Sequence, residues 1–319
     1  MVPNRLILDT DGGVDDAQAL LLLIANGRPP DAITTVFGNV SLQMATENIL
    51  AVLAVAGVDI PVHSGAGEPL AQPRIDARDV HGDDGLGGAP RPQRTADAAG
   101  TDAVAFLIST LSAAAKAGEC VDLLMIGPLT NLALALKQAP RIASGIGTLT
   151  IMGGTLHGRG NITPAAEFNV FADPEAAGDV FRAPLDTLLV PWEPCMQHAL
   201  EGPAIDRMFE PVPESRYKAF ARALVQHDRG RHNLHGRGDR LFLIDPLAAA
   251  VVVEPTIVAR SLRASVDVAL APGIARGMTI IDPSGRLATP EVTVLEQARL
   301  DRLAALFAAL VAFTPTRNR

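Results

Sequence analysis

Cysteine, aromatic residues and positive charge are all scarce in this chain of 319 residues. Its two cysteines, Cys120 and Cys195, lie in apolar stretches without the spacing of metal ligands, so we predict two buried thiols in a reducing compartment. The 27 Lys and Arg residues are outnumbered by 35 Asp and Glu, which gives a net charge of -8. This acidic balance argues against a nucleic-acid partner, which requires a basic surface, and favours a small-molecule substrate.

The sequence also lacks the features of a membrane or exported protein. The N-terminus enters a predicted strand by Leu6, which leaves no room for a charged segment followed by an apolar signal core. The apolar run at residues 49–56 is too short to span a bilayer. Hydrophobic residues make up 48% of the chain, which excludes disorder and allows a large core. We therefore expect a cytoplasmic protein without a membrane partner, folded as a single α/β domain over residues 1–319.

Apolar or β-branched stretches alternate with helical patterns along the first two thirds of the chain. After the opening strand, strands are predicted at residues 32–37, 60–63, 121–126, 149–152 and 187–190. Helices are predicted at residues 14–25, 42–56, 102–117, 128–137 and 173–181. Residues 64–100 are rich in Gly, Pro and Asp, and a segment of this length without periodicity is usually a functional loop or lid.

The last third of the chain is less regular. We predict a helix at 215–226, a polar loop at 228–240, a helix from Asp245, antiparallel strands at 258–269 and 278–281, and a closing helix at 295–313. The alternation as a whole predicts an α/β fold with an open, mostly parallel, doubly wound sheet. Helices should cover both faces, with a small antiparallel addition near the C-terminus. Ligands of such sheets bind at the carboxyl ends of the strands.

Four acids follow the opening strand within eight residues: Asp9, Asp11, Asp15 and Asp16. A single Asp there is usually a helix cap, but four exceed what a cap needs. So much negative charge in one place requires a cation or a positive dipole. Oxygen ligands without nearby His or Cys suit Ca²⁺ or Mg²⁺ rather than Zn²⁺, although the spacing does not match an EF-hand.

Polar or glycine-rich residues also follow the other predicted strands. They include residues 38–39, 127–128, 153–169 and 192–193. Because the carboxyl ends of parallel strands meet at one rim, carboxylates and carboxamides should converge there. Such a rim predicts a hydroxyl-rich ligand held over a metal ion.

Several blocks of the sequence resemble the nucleoside hydrolase family, often called the inosine/uridine-preferring nucleoside ribohydrolases. In chain order they are DTDGGVDDAQAL from Asp9, TTVFGN at 34–39, IGPLTNLA at 126–133, MGG with GNITPAAEFNVFADPEAA at 152–177, and IDPLAA at 244–249. The first block and the AEFN block are highly specific, whereas IGPLTN alone is a weak signal. The blocks follow the family's order over most of the chain.

The resemblance implies a Ca²⁺ site. The side chains of Asp11, Asp16 and Asp245 and the backbone carbonyl of Ile126 would bind the ion, and Asp9 would support these ligands from behind. Calcium accepts roughly seven or eight oxygens, so it can hold carboxylates, a carbonyl, two sugar hydroxyls and a water together.

The resemblance also implies the substrate and the reaction, which is hydrolysis of the N-glycosidic bond of a ribonucleoside. A water bound to the ion would be activated by Asp11 as general base. The remaining implied substrate contacts surround the sugar and base, and they are Asp15, Asn39, Asn161, Glu167, Phe168 and Asn169. Members commonly form homodimers or homotetramers, so self-association is expected.

Activation of the leaving base is where the sequence departs from many members of the family. Pyrimidine-accepting members often carry His directly before the metal-binding Asp of the second half, but this chain has Ile244 there. His81 matches a family loop position near the base and is the best candidate for a catalytic role. His227, His232 and His235 are weaker candidates, because a lone His is usually an ordinary surface residue.

Two other functions remain open from the sequence. A phosphohydrolase or phosphotransferase could use Asp9 as nucleophile and Asp11 as acid and base, but it needs a downstream Lys and Thr or Ser that we cannot place. A non-catalytic ribose- or nucleoside-binding protein could keep the metal site. The presence of both Asp11 and Asp245 argues against this second alternative.

Overall fold

The computed structural model describes residues 3–92 and 96–315. Its strands, in chain order, are β1 (Arg5–Thr10), β2 (Ala32–Thr35), β3 (Val62–Ser64), β4 (Val121–Met125), β5 (Ile146–Met152), β6 (Asp186–Val190), β7 (Ala199–Glu201), β8 (Arg240–Phe242), β9 (Val258–Val268), β10 (Thr279–Asp282) and β11 (Glu291–Ala298). Most of these strands follow the predicted positions within a few residues.

The helices alternate with the strands as the sequence pattern predicts. In chain order they are α1 (Val14–Ala25), α2 (Leu42–Ala56), α3 (Arg78–His81), α4 (Ala103–Ala117), α5 (Thr130–Gln138), α6 (Phe168–Ala172), α7 (Pro174–Phe181), α8 (Trp192–Gln197), α9 (Gly202–Phe209), α10 (Arg216–Leu234), α11 (Asp245–Val253) and α12 (Leu300–Ala312). Short 3-10 turns lie at Pro140–Gly145 and Pro255–Ile257. Within the described residues no helix is long and apolar enough to cross a membrane.

Over the described residues, the main sheet has nine strands in the order β10-β9-β11-β6-β5-β4-β1-β2-β3. From β3 to β11 the neighbouring strands are parallel, whereas β9 pairs antiparallel with both β11 and β10. A separate small antiparallel sheet joins β7 and β8. The predicted mostly parallel sheet with an antiparallel addition near the C-terminus is therefore confirmed.

Helices cover both faces of the sheet because successive side chains of a buried strand point to opposite sides. Along β1, Leu6 and Leu8 belong to one hydrophobic cluster, which includes the buried sides of α1, α2, α10, α11 and α12. Ile7 belongs to the other cluster, together with α4, α5 and α7. This alternation agrees with the predicted doubly wound arrangement.

The topology places a crevice at the carboxyl ends of β1 and β4. The chain leaves β1 for β2 on one side and later returns to β4 on the other side of β1. The connections diverge at such a point, which leaves room for a ligand between them. Residues 11–16 follow β1 and Ile126 follows β4, so both predicted blocks lie at this crevice.

Two predictions for the last third of the chain are wrong. Helix α10 continues to Leu234, through residues predicted as the polar loop at 228–240. Its inward-facing positions remain buried at Asp228 and His232, so tertiary packing continues the helix although the stretch is polar and contains Gly230. Residues 291–298 form strand β11, and the closing helix starts at Leu300 rather than 295. The β-branched residues of EVTVLEQA alternate between buried and less buried positions, as in a strand.

Candidate active site

The turn between β1 and α1 is held together by Asp16. Its carboxylate accepts hydrogen bonds from the backbone N–H of Gly13 (2.9 Å) and Asp11 (3.2 Å) and from the hydroxyl of Thr10. Gly12 makes this turn possible, because it has φ of +71° and a Cβ there would lie 2.6 Å from Ala45 Cα. The first turn of α1 therefore presents its acids at the crevice.

Asn39 binds Asp11 and Asp16 together. Its backbone N–H donates to Asp11 Oδ2 (2.7 Å), and its side-chain amide donates to Asp11 Oδ1 (2.9 Å) and to Asp16 Oδ2 (3.0 Å). The loop after β2 must approach closely for these contacts, since a Cβ at Gly38 would lie 2.0 Å from Asp11 Oδ2. Both carboxylates are fully buried.

Asp245 joins these acids from the other end of the chain. It is the first residue of α11, and Pro246 follows it in the first helical turn. Proline is favoured in this turn because a backbone N–H there would have no acceptor within the helix. Carboxylate oxygens of Asp15, Asp16 and Asp245 lie within 4.8 Å of one another. Asp16 and Asp245 are two of the three predicted side-chain ligands, and Asp15 is an addition. The third predicted ligand, Asp11, is not part of this group and is hydrogen-bonded to Asn39.

The electrostatics of this group favour a cation. Burial, followed by the charges of neighbouring acids, raises the pKa of Asp11 and of Asp245 well above the ordinary value. Burial and the charge of Asp15 also raise the pKa of Asp16. Within the described part of the chain, no Lys or Arg forms an ion pair with Asp15, Asp16 or Asp245. Buried hard oxygen donors that repel one another fit a divalent ion such as Ca²⁺.

Asp9 lies beneath the group and does not line the cavity above it. Its Oδ2 accepts hydrogen bonds from Thr34 Oγ1 (2.5 Å) and Asn131 Nδ2 (2.8 Å), and its buried Oδ1 has no partner within the described residues. Burial raises its pKa to about 7. The contacts with Thr34 and Asn131 suit a supporting role for Asp9.

The segment after β5 supplies polar groups to the opposite wall. Glu167 caps α6 and accepts hydrogen bonds from the backbone N–H of Gly154, Asn169 and Val170, at 2.8, 2.8 and 3.2 Å. Burial nevertheless raises its pKa to about 7. The side-chain amide of Asn169 donates to the Ile126 carbonyl (3.1 Å), so this wall is tied to the end of β4.

One cavity brings most of the predicted site residues together. Those lining it are Asp15, Asn39, His81, Ile126, Asn161, Glu167, Phe168, Asn169 and Asp245. Asp11 and Asp16 are not among the lining residues but contact Asn39 directly behind its wall. Trp192 and Ile244 also line the cavity.

His81 lies on the short helix α3 within the long 64–100 segment and is buried. The backbone N–H of Val14 donates to its Nδ1 (3.1 Å), which assigns the proton of the neutral ring to Nε2. Burial lowers its pKa to about 4, so the ring is neutral near pH 7. Two other histidines have partners elsewhere: His63 stacks on Phe106, and both ring nitrogens of His198 contact backbone groups.

Sequence reasoning missed the wall that α10 and β8 contribute. Asp228, Arg231, His232, Arg237 and Phe242 line the same cavity. The signal was the spacing itself, because Tyr217, Leu224, Asp228 and His232 continue one buried stripe at helical intervals. His232 had been considered only as a weak candidate on a loop.

Comparison with known proteins identifies relatives over nearly the whole chain. Residues 6–305 match the family model described as inosine-uridine preferring nucleoside hydrolase. An inosine-uridine preferring nucleoside hydrolase from Leishmania major is 35% identical over 289 residues, 88% of each chain. The structure of an inosine-guanosine nucleoside hydrolase is similar, with a TM-score of 0.88, 29% identity and coverage of 98% and 100% of the two chains. A purine-preferring ribonucleoside hydrolase from Gardnerella vaginalis has a TM-score of 0.87 and 27% identity, with 97% and 98% covered.

Proposed function

Because the chain belongs to the inosine-uridine preferring nucleoside hydrolase family, we propose that it releases the base from ribonucleosides with the help of a calcium ion. The observation that carries this proposal is the group of acids from α1 and α11 at a polar cavity, of which Asp16 and Asp245 are buried and Asp15 is half-buried. A ribose in this cavity would contact Asp15 and Asn39 on one wall and Glu167 and Asn169 on the other.

The residues around the sugar would stabilise the transition state. Cleavage of an N-glycosidic bond places positive charge on the ribose ring, and nearby carboxylate and amide oxygens favour that charge. Asp15 and Glu167 line the cavity, and Glu167 is held by three backbone N–H groups. Fixed oxygens of this kind need little reorganisation as the charge develops.

Asp11 would take the proton of the attacking water. Asn39 holds both of its oxygens, and the orientation of its carboxylate is therefore fixed. A bound divalent ion would supply Lewis acidity that lowers the pKa of the attacking water and would help to position the sugar. Asp16, Asp245 and the carbonyl of Ile126 would hold the ion. Raised pKa values at these acids support the need for a cation.

His81 would assist the departing base by hydrogen bonding. Its Nδ1 is occupied by the N–H of Val14, so Nε2–H is the donor that remains for the base. A ring whose pKa is near 4 is neutral in solution at pH 7, so the assistance is donation from a neutral imidazole rather than from an imidazolium. Ile244 lines the cavity but cannot donate a proton.

A release assay tests the proposal against both alternatives. The enzyme is incubated with inosine, guanosine, adenosine, uridine and cytidine and, in separate reactions, with their 5′-monophosphates. Free ribose, free base and inorganic phosphate are measured with Ca²⁺ or with EGTA. We expect calcium-dependent formation of ribose and base in equal amounts. Phosphate release from nucleotides without ribose release would indicate the phosphohydrolase, and nucleoside binding without turnover would indicate a binding protein.

Assembly and location remain predictions. Self-association into a homodimer or homotetramer is tested by light scattering on the purified protein, and the cytoplasmic location by fractionation of cells that express it.

A further inference from the structure

The cavity contains polar groups without a hydrogen-bond partner among the residues that the structure describes. The side chain of Arg231 forms no hydrogen bond or ion pair with any described residue, and its buried Nε is unpaired. His232 is 3% exposed, and its Nδ1 is also unpaired. Leaving buried polar groups unpaired costs free energy, so their presence in a ligand cavity points to a ligand that completes them.

Asp228 provides a complementary acceptor on the same helix. Its Oδ2 accepts a hydrogen bond from Gln18 Nε2 (2.7 Å), which fixes the carboxylate, while Oδ1 has no hydrogen-bond partner among the described residues. Asp228, Arg231 and His232 are three and four residues apart, so they lie on one face of α10. A fixed acceptor therefore lies one helical turn from a permanent donor.

This pair matches one kind of base. Guanine presents N1–H and the 2-amino group as adjacent donors, with O6 and N7 as adjacent acceptors. A carboxylate accepts from the first edge, and a guanidinium donates to the second. Adenine offers the opposite arrangement at two positions, with an acceptor at N1 that repels the carboxylate and a donor at N6 where the guanidinium needs an acceptor, so only its N7 remains as an acceptor for Arg231.

We propose that Asp228 and Arg231 select the nucleobase and that the preferred substrates are 6-oxopurine nucleosides, guanosine before inosine. Hypoxanthine keeps N1–H, O6 and N7 but lacks the 2-amino group, so it forgoes one contact with Asp228. Uracil is smaller and has its N3–H flanked by two carbonyls, one of which would face the carboxylate. This inference rests on the proposed nucleoside hydrolase function.

The first measurement is kcat/KM for guanosine, inosine, adenosine and uridine with calcium present. Guanosine is expected to exceed adenosine by at least about 100-fold, since a site built to hydrogen-bond a polar edge strongly rejects analogues that lack it. If no nucleoside releases ribose, the proposed function itself fails. If ribose is released but kcat/KM for adenosine or uridine equals that for guanosine, only the proposed selection by Asp228 and Arg231 is overturned.

Two substitutions then separate recognition from folding. Asp228→Asn can keep the contact with Gln18 but places an amide N–H where the base donates. Asp228→Asn should lower kcat/KM for guanosine about 30-fold and change kcat/KM for adenosine less than about threefold. Arg231→Gln should lower kcat/KM for guanosine and for inosine by similar factors, because both bases carry O6 and N7. The adenosine rate serves as the internal measure of a correctly folded site.

Matched controls remove the same charges elsewhere. Asp179→Asn removes a half-exposed carboxylate on α7, and Arg222→Gln removes a partly exposed arginine from α10 itself. Both should leave the ratio of guanosine to adenosine within about twofold of wild type. An equal loss with all substrates in Asp228→Asn, or an unchanged ratio, would assign Asp228 a structural role and overturn the proposal.

Discussion

The two ends of the cavity are built in different ways. At the acidic end, Asp11 and Asp16 are held by several hydrogen bonds from the turn and from Asn39. Along the α10 wall, the Nε of Arg231 and the Nδ1 of His232 have no hydrogen-bond partner among the described residues. The acidic end is organised by the protein before any ligand arrives, whereas the α10 wall is completed by the ligand. We therefore infer that the first end carries the chemistry and the second the choice of substrate.

Removal of calcium should have the largest effect. EGTA is expected to abolish ribose release and to lower Tm by about 5 °C relative to protein with calcium at about 100 times its Kd, because binding relieves repulsion among Asp15, Asp16 and Asp245. Differential scanning calorimetry measures the shift. Unchanged Tm and activity would show that the acidic end needs no cation, and recovery with Mg²⁺ alone would assign a different ion.

Asp11→Asn tests the base at the acidic end. The substitution keeps the shape of the side chain and one acceptor for Asn39, so we expect Tm within about 3 °C of wild type. With saturating calcium, kcat should fall about 1000-fold, the scale of losing a general base. Asp179→Asn, which removes an exposed carboxylate, provides the comparison for net charge. Near-normal turnover by Asp11→Asn would exclude Asp11 as the base.

Glu167 should make the acidic end sensitive to pH. Burial raises its pKa from 4.5 to about 7, so the folded state binds its proton more tightly than the unfolded state. The stability from this group is present below pH 4.5 and is lost as pH rises through about 7, a loss of about 3 kcal/mol. Denaturant unfolding with EGTA between pH 4.5 and 8 measures the slope. Glu167→Gln should reduce the slope of the unfolding free energy against pH. A slope identical to that of wild type would show that Glu167 is not the group responsible.

His81→Ala should have the smallest effect of the four. We expect kcat for a nucleoside to fall about 30-fold, because one hydrogen bond to the departing base is lost. With 4-nitrophenyl riboside, whose leaving group needs no such help, the loss should shrink to about threefold or less. Equal losses with both substrates would show that His81 acts through Val14 and the fold of the turn instead of through the base.

The fold was accessible from the sequence because local patterns and long-range packing agree over most of the chain. The predicted helices at 14–25 and 42–56 match α1 and α2, and Ser41 caps α2 by accepting a hydrogen bond from the N–H of Met44. Agreement fails at α10 and β11. There the periodicity is masked by charged residues or by an adjoining helical pattern, and burial against the rest of the molecule decides the outcome.

The sequence alone determined which chemistry this protein can carry, since hard-ligand acids and carboxamides at the ends of strands are residue types that few other roles require. Only the tertiary structure decided how Asp245 meets Asp16 and how α10 turns Asp228 and Arg231 toward the cavity. The physical reason is that the local residue pattern is enough to predict where a strand ends. The direction of a helix face is fixed by contacts with residues distant in the chain.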